Sequence, residues 1–298
     1  MGVRESAFEI GSSLLVHSGL RNWRLAHWLR SAAAAVVAPM DFRSAQRKWL
    51  LDPTLSSEEK SLLARVSLRV HRNDGMYIPL DARFYLWAGL SAIRCIENAL
   101  QKSGSLRTVR AILDLPCGYG RVLRFLRAKF PDTEITASEL DSGALEFCRE
   151  TLGVKIVESN TNLGKLSVPG CFDLIWCGSL LTHLDEGSAA KLIRFFHEHL
   201  ASGGVCLFTT HGTEPVNRIR STRRAYGLSD AARQELLAQY DRRGYGYADY
   251  SGQPGYGVSV ASPERMVSLA SEVGAWKEIR CLERGWANHQ DVFIAEAR

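Results

Sequence analysis

Residues 111–126 read AILDLPCGYGRVLRFL, and this stretch decides the fold. Ala111, Ile112, Leu113 and Leu115 make a short apolar run that suits a buried parallel strand. Pro116, Gly118 and Gly120 break the run. From Val122 the apolar residues Val122, Leu123, Phe125 and Leu126 return at helical intervals. Strand, tight glycine turn and helix form the geometry that lets a ligand approach the backbone at a helix N-terminus. Gly118 and Gly120 lack a Cβ, so they can take positive φ and leave room for that ligand.

Outward from this turn, Ile135-Thr136-Ala137-Ser138-Glu139 reads as a second short strand ending in a carboxylate. Glu139 stands 19 residues after Gly120, near the ~20-residue spacing at which an acid reaches the ribose hydroxyls of a nucleotide cofactor. A ribose diol offers two donors, and a carboxylate can accept both. A dinucleotide dehydrogenase asks for a third glycine three residues after the second. Leu123 occupies that position, which argues against tight pyrophosphate docking.

Asp114-Leu115-Pro116-Cys117-Gly118-Tyr119-Gly120, Glu139, Phe172-Asp173-Leu174-Ile175-Trp176 and Leu200-Ala201-Ser202-Gly203-Gly204 follow one another in order. On these four motifs the chain, from about Leu106 onward, resembles the class I S-adenosylmethionine-dependent methyltransferases. The family's first motif usually has glycine where this chain has Pro116. The resemblance implies a Rossmann-like α/β fold with a seven-stranded, mostly parallel sheet whose last strand is antiparallel. It also implies S-adenosylmethionine as cofactor and S-adenosylhomocysteine as product, while the tyrosine-rich stretch 244–257 and the histidines suggest a small, hydroxyl-bearing acceptor such as a natural product or a sugar. A nicotinamide-dependent oxidoreductase and a non-catalytic cofactor-binding protein are the alternatives.

From residue 107 the pattern alternates strand and helix, with strands near 108–114, 134–138, 154–158, 172–177 and 204–210. Helices are expected near 120–130, 142–152, 187–201 and 262–273, which together imply a parallel sheet covered on both faces. Residues 283–290 are too few for a helical crossover between strands at 276–282 and 291–297, so the last strand should run antiparallel. Residues 1–104 read as a helical N-terminal extension or cap and 105–298 as the cofactor-binding domain. In the cap, Leu14, Leu15, Leu20, Trp23, Trp28 and Leu29 are interleaved with arginines, Ser56-Ser57-Glu58-Glu59 reads as a capping box, and Asp81 is expected to cap the next helix.

Ligands of open α/β sheets bind beyond the carboxyl ends of the strands, and that rule selects the candidate site. After the first strand come Asp114, Pro116, Gly118 and Gly120. Asp114 either accepts from the cofactor's ammonium or braces the turn. After the second come Glu139 and Leu140, the latter placed to pack on adenine. After the third come Ser159 and Asn160, with Asn160 standing where the family often has an acid for the adenine amino group. After the fourth, the backbone carbonyls of Cys177 or Gly178 are placed for the ammonium. His183 there is either a general base or a histidine that fastens the following helix, and the structural role is favoured. After the fifth strand, His211 at the pocket mouth is the better base candidate. Tyr85, with Met76 and Tyr77, is a candidate to cover the methionine end of the cofactor. The last hairpin offers Trp286, His289 and Gln290 as substrate contacts. His183, His211 and His289 are thus the catalytic candidates. Residues 213–261 form a long insertion, read as a substrate lid in which Tyr247 and Tyr256 supply planar surface.

Composition bounds the rest. The 298 residues carry a net charge of +5, all of it in residues 1–72, which hold 11 Lys/Arg against 6 Asp/Glu. The remainder is neutral, so a nucleic-acid substrate is not expected. No apolar run reaches the ~18 residues that span a bilayer, and no secretory signal pattern opens the chain. Seven scattered cysteines without a C-x-x-C pair indicate neither a disulfide framework nor a zinc site. A cytoplasmic protein without a metal is the expectation.

Overall fold

A computed structural model describes residues 37–104, 109–222 and 225–298. The leucines and tryptophans of residues 14–29 lie outside the described residues. Among those described, helix α1 covers 37–50, α2 Ser57–Arg65 and α3 Ala82–Ser103. Ser56 and Glu59 close the capping box on α2 reciprocally. Asp81 stands at the N-cap of α3 without a side-chain cap bond. Instead Asp41 of α1 accepts from Ala82 N at 3.1 Å and from the Tyr77 hydroxyl at 2.9 Å. The cap of α3 therefore comes from a distant segment. Gly104, at φ 76°, ends the helix in the left-handed region that favours glycine.

The alternating part follows as β1 Ala111–Asp114, α4 Leu123–Lys129, β2 Glu134–Glu139, α5 Ser142–Leu152 and β3 Lys155–Glu158. It continues as β4 Phe172–Cys177, α6 Glu186–His199 and β5 Leu200–Thr210. The insertion then contributes α7 Thr213–Ser221, α8 Asp230–Arg243, β6 Tyr245–Tyr250 and β7 Gln253–Ala261. The chain closes with α9 Pro263–Val273, β8 Trp276–Trp286 and β9 Gln290–Ala297.

Seven strands form one sheet in the order β3-β2-β1-β4-β5-β9-β8. β1, β2, β3, β4 and β5 pair in parallel, and β9 runs antiparallel to both its neighbours. This is the topology expected from the sequence. The strand period of two splits the apolar residues between two cores. Ile112, Ile135 and Leu174 face α3, α4 and α5, whereas Leu113, Ile175 and Cys206 face α6 and α9.

The insertion is not a long loop. It carries its own small core, in which Val216, Ile219, Tyr226, Leu236, Val258 and Val260 pack together under the two-stranded β6–β7 sheet. Its last strand is tied to the end of β5, because Ala261 N donates to the His211 carbonyl at 2.9 Å. The β6–β7 hairpin is thereby laid beside the carboxyl edge of the main sheet.

Candidate active site

A cavity of about 360 Å³ opens at the carboxyl ends of β1, β2 and β4. The turn after β1 forms its floor. Gly118 has φ 50°, and a Cβ placed there would meet nothing within 4 Å, so the glycine leaves open space on the cavity side. Gly120, at φ 80°, does a different job. A Cβ there would come 3.0 Å from Leu152 and 3.3 Å from Cys148 Sγ, so this glycine lets the turn pack on α5.

Glu139 closes the turn from the neighbouring strand. Its Oε2 accepts from Gly118 N at 2.9 Å and its Oε1 from Leu140 N at 2.7 Å. Each carboxylate oxygen keeps a second lone pair for a ligand hydroxyl. Asp114 lies deeper. It is buried, and its Oδ2 has no hydrogen-bond partner among the described residues. Burial, helped by the nearby Glu139 charge, raises its pKa well above the usual carboxylate range. A buried acid with an unused oxygen in a cavity is a natural seat for a ligand ammonium, which would hold it in the charged form.

The loop after β4 forms the next wall. Ser179 takes φ 65°, and the strained turn is held from behind: Ser179 N donates to Thr209 Oγ1 at 2.7 Å and Gln290 Nε2 donates to Ser179 Oγ at 2.8 Å. Thr209 Oγ1 in turn donates to Gln290 Oε1 at 2.6 Å. Trp176 and Trp286 meet edge-on with ring centroids 5.5 Å apart, and the Trp286 indole N–H donates to the Ala88 carbonyl at 2.8 Å. A Cβ on Gly178 would strike both rings, at 2.9 and 3.1 Å. Three large apolar side chains that are otherwise unusually exposed, Met76, Leu140 and Tyr256, stand at the cavity wall at 53%, 51% and 44% exposure.

His183 lines this cavity. Its Nδ1 lies 2.8 Å from the Gly257 carbonyl of β7, and a carbonyl only accepts, so Nδ1 carries the proton and Nε2 keeps the lone pair. Burial lowers the ring's pKa below 6.5. The ring is therefore neutral, and a proton acceptor, at pH 7.

Asp114, Pro116, Gly118, Glu139, Leu140, Ser159, Gly178, His183, Tyr256 and Trp286 all line the cavity. The other sequence candidates lie elsewhere. His211 is buried at 3% exposure beneath β7, with Nδ1 3.1 Å from the Ser259 carbonyl. It is not at a pocket mouth, because the insertion folds over the end of β5. His289 points to the same buried cluster: its Nε2 is 3.2 Å from the Tyr226 hydroxyl and its Nδ1 3.4 Å from Glu214. Tyr85 is buried behind the cavity and donates to Asp74 Oδ2 at 2.7 Å. Tyr77 is spent on Asp41 and Tyr247 on Asp249, at 2.6 Å for the latter. Gln290 acts through Ser179. Cys177 is a buried core thiol, and Asn160 Oδ1 accepts from Asn162 N at 2.9 Å.

Other wall residues were not among the sequence candidates, Asp74, Tyr119, Arg121, Trp176 and Ser179 among them. Asp74 and Ser179 sit in loops whose approach to the cavity depends on distant contacts. Arg121 did leave a signal, being a charged residue directly after the second glycine at the start of an apolar helix face.

The order of the sheet, the glycine turn and the carboxylate at the end of β2 make a Rossmann-like α/β domain with a nucleotide-type site at the carboxyl ends of its strands. Residues 112–204 match the family described as "Methyltransferase domain". The malonyl-[acyl-carrier protein] O-methyltransferase of Priestia megaterium is 30% identical over 116 residues, covering 37% of this chain and 40% of that protein. The chain thus spans well under half the length of that curated relative. Among solved structures, DesVI of Streptomyces venezuelae is similar at 12% identity, covering 72% of this chain and 93% of that one, with a TM-score of 0.49. Human N-acetylserotonin methyltransferase in complex with SAM is similar at 14% identity, covering 73% and 56%, with a TM-score of 0.45.

Among the described residues no cluster of three metal-ligating side chains occurs, and no helix is long and apolar enough to cross a membrane.

Proposed function

We propose that the protein transfers a methyl group from S-adenosylmethionine to an oxygen of a small molecule, a hydroxyl in the first instance. The observation that carries this reading is the buried, partnerless Asp114 oxygen facing a cavity floored by Gly118 and closed by Glu139. These residues fit an adenosyl amino acid: Asp114 for the ammonium, Glu139 for the ribose diol, Leu140 and Ser159 beside the base. The bound cofactor would supply an electrophilic methyl on a sulfonium. The buried Trp176 and Trp286, with Met76, give that end of the cavity an apolar lining, which favours in-line displacement.

His183 is the base candidate in this reading, in place of His211. Its lone-pair nitrogen stays unprotonated at pH 7 and accepts the hydroxyl proton. The β6–β7 hairpin acts as the lid. Tyr256 covers the cavity while Gly257 holds the His183 tautomer. The name of the malonyl-[acyl-carrier protein] relatives supports oxygen as the methylated atom. A cytoplasmic setting goes with this reading, since all seven cysteines are free thiols.

The test is to incubate purified protein with S-adenosylmethionine and panels of hydroxylated and amine acceptors and to follow S-adenosylhomocysteine release. Turnover of hydroxylated acceptors supports the proposal. Turnover of amines alone refutes it.

A further inference from the structure

The loop after β4 is held by a closed ring of hydrogen bonds among Ser179, Thr209 and Gln290, and the ring fixes where each proton goes. Ser179 N donates to Thr209 Oγ1 at 2.7 Å, Thr209 Oγ1 donates to Gln290 Oε1 at 2.6 Å, and Gln290 Nε2 donates to Ser179 Oγ at 2.8 Å. The distances set the orientation of the amide. The Thr209 contact has the length of an O–H···O bond, whereas an N–H···O bond prefers about 2.7–3.2 Å. The amide oxygen therefore faces Thr209 and the amide nitrogen faces Ser179. Thr209 and Gln290 are both buried, so the ring is closed to solvent from behind.

Ser179 Oγ is thus an acceptor toward Gln290, and its own proton is left over. Among the described residues this hydroxyl donates to no group, and Ser179 lines the cavity. A hydroxyl whose lone pair is engaged from behind has its proton to give in front. The backbone carries strain to hold it there, since Ser179 takes φ 65°, a conformation that favours glycine. Thr182 Oγ1 fastens the same turn by donating to the Ser179 carbonyl at 2.7 Å.

His183 stands four residues further along this turn and has the opposite polarity, because its Nε2 keeps a lone pair. One turn therefore presents a donor and an acceptor to the same cavity. A reacting hydroxyl gives its proton to His183. A donor on that same oxygen would tie up the electron pair that attacks the methyl, so the Ser179 proton is better placed on a second oxygen. Accepting the methyltransferase reading above, we infer that Ser179 is a specificity-determining residue that donates to a second oxygen beside the reactive hydroxyl, and so selects acceptors with adjacent oxygens, a vicinal diol or an α-hydroxycarbonyl. Ser179 keeps its proton throughout, and His183 takes the one the acceptor loses.

The experiment titrates protein saturated with S-adenosylhomocysteine with catechol and, separately, with resorcinol, which differ only in where the second hydroxyl sits. Wild type, Ser179→Gly and Gln290→Glu are compared by calorimetry beside thermal melts. Ser179→Gly removes the donor and suits φ 65°, so the turn is expected to keep its fold. Gln290→Glu keeps the shape of the ring but gives Ser179 a carboxylate oxygen that takes its proton. Wild type is expected to bind catechol about tenfold more tightly than resorcinol. Both variants are expected to bring the two phenols to within about twofold of each other while still binding S-adenosylhomocysteine.

No preference between the phenols in wild type, including no binding of either, overturns the inference whatever the variants do. So does a preference that survives in both variants. A Ser179→Gly protein that loses S-adenosylhomocysteine but keeps 5′-methylthioadenosine, which lacks the amino-acid group, also overturns it, since the hydroxyl would then serve the cofactor. Failure of wild type to bind S-adenosylhomocysteine at all would instead fell the methyltransferase reading.

Discussion

The His183 and Tyr256 rings are stacked with centroids 4.9 Å apart and planes 27° from parallel, and the residue after Tyr256 accepts the His183 Nδ1 proton at 2.8 Å. Both contacts join the loop after β4 to the insertion hairpin. The cavity wall and the protonation geometry of His183 are therefore set by the same pair of segments.

Replacing His183 with Asn should lower kcat on hydroxyl acceptors by about 10²- to 10⁴-fold with little change in cofactor affinity. In wild type, kcat/KM should rise with pH through the titration of the free enzyme's His183, which burial places below 6.5, and should be level at neutral pH. Steady-state kinetics from pH 5 to 8 check both. A profile that still rises between pH 7 and 8 would assign the base elsewhere.

Tyr256→Ala removes a ring that is 44% exposed and belongs to a hairpin with its own core. Folding should be nearly unchanged in a thermal melt, while KM for the acceptor rises by about an order of magnitude through lost apolar contact. Loss of stability without a change in KM would make the ring a structural contact only.

The two glycines of the turn should fail in different ways. Gly118→Val puts a branched side chain into the cavity at φ 50°, so it should abolish S-adenosylhomocysteine binding as well as add strain. Gly120→Val drives into Leu152 and Cys148 and should mainly lower stability, by roughly 1–3 kcal/mol or more from overpacking. Glu139→Ala should weaken binding at least tenfold, because it removes the diol acceptor and the brace on Gly118 N together. Calorimetry beside urea melts separates these outcomes.

Folding stability should fall as pH drops below about 6.5. Burial holds the folded-state pKa of His211 well below its ordinary value. Between the two values the unfolded chain binds a proton that the folded chain does not. The dependence is at most about 1.4 kcal/mol per pH unit for each such histidine. His183 and His289 are also lowered and act in the same direction. Urea melts at pH 7.5 and 5.5 test the sign, and His211→Gln, which keeps a donor for the Ser259 carbonyl, should reduce the slope.

Taken alone, the sequence determined the order of the strands and helices that build the seven-stranded sheet, though not those within residues 213–261, together with the glycine turn, the carboxylate at the end of β2 and the antiparallel closing strand. These features are local: apolar periodicity, glycine placement and the length of a connection constrain them directly. The histidines show where that reasoning stops. His211 and His183 stand after successive strands and look equivalent along the chain. Only the tertiary fold decides that residues 213–261 form a small core, that β7 seals His211 inside it, and that Gly257 reaches back to orient His183. Asp41 capping α3, Tyr85 bracing Asp74 and Gln290 holding Ser179 are of the same kind. Each joins segments at least eleven residues apart, and side-chain pairing over such distances is fixed by packing, which no short-range pattern encodes.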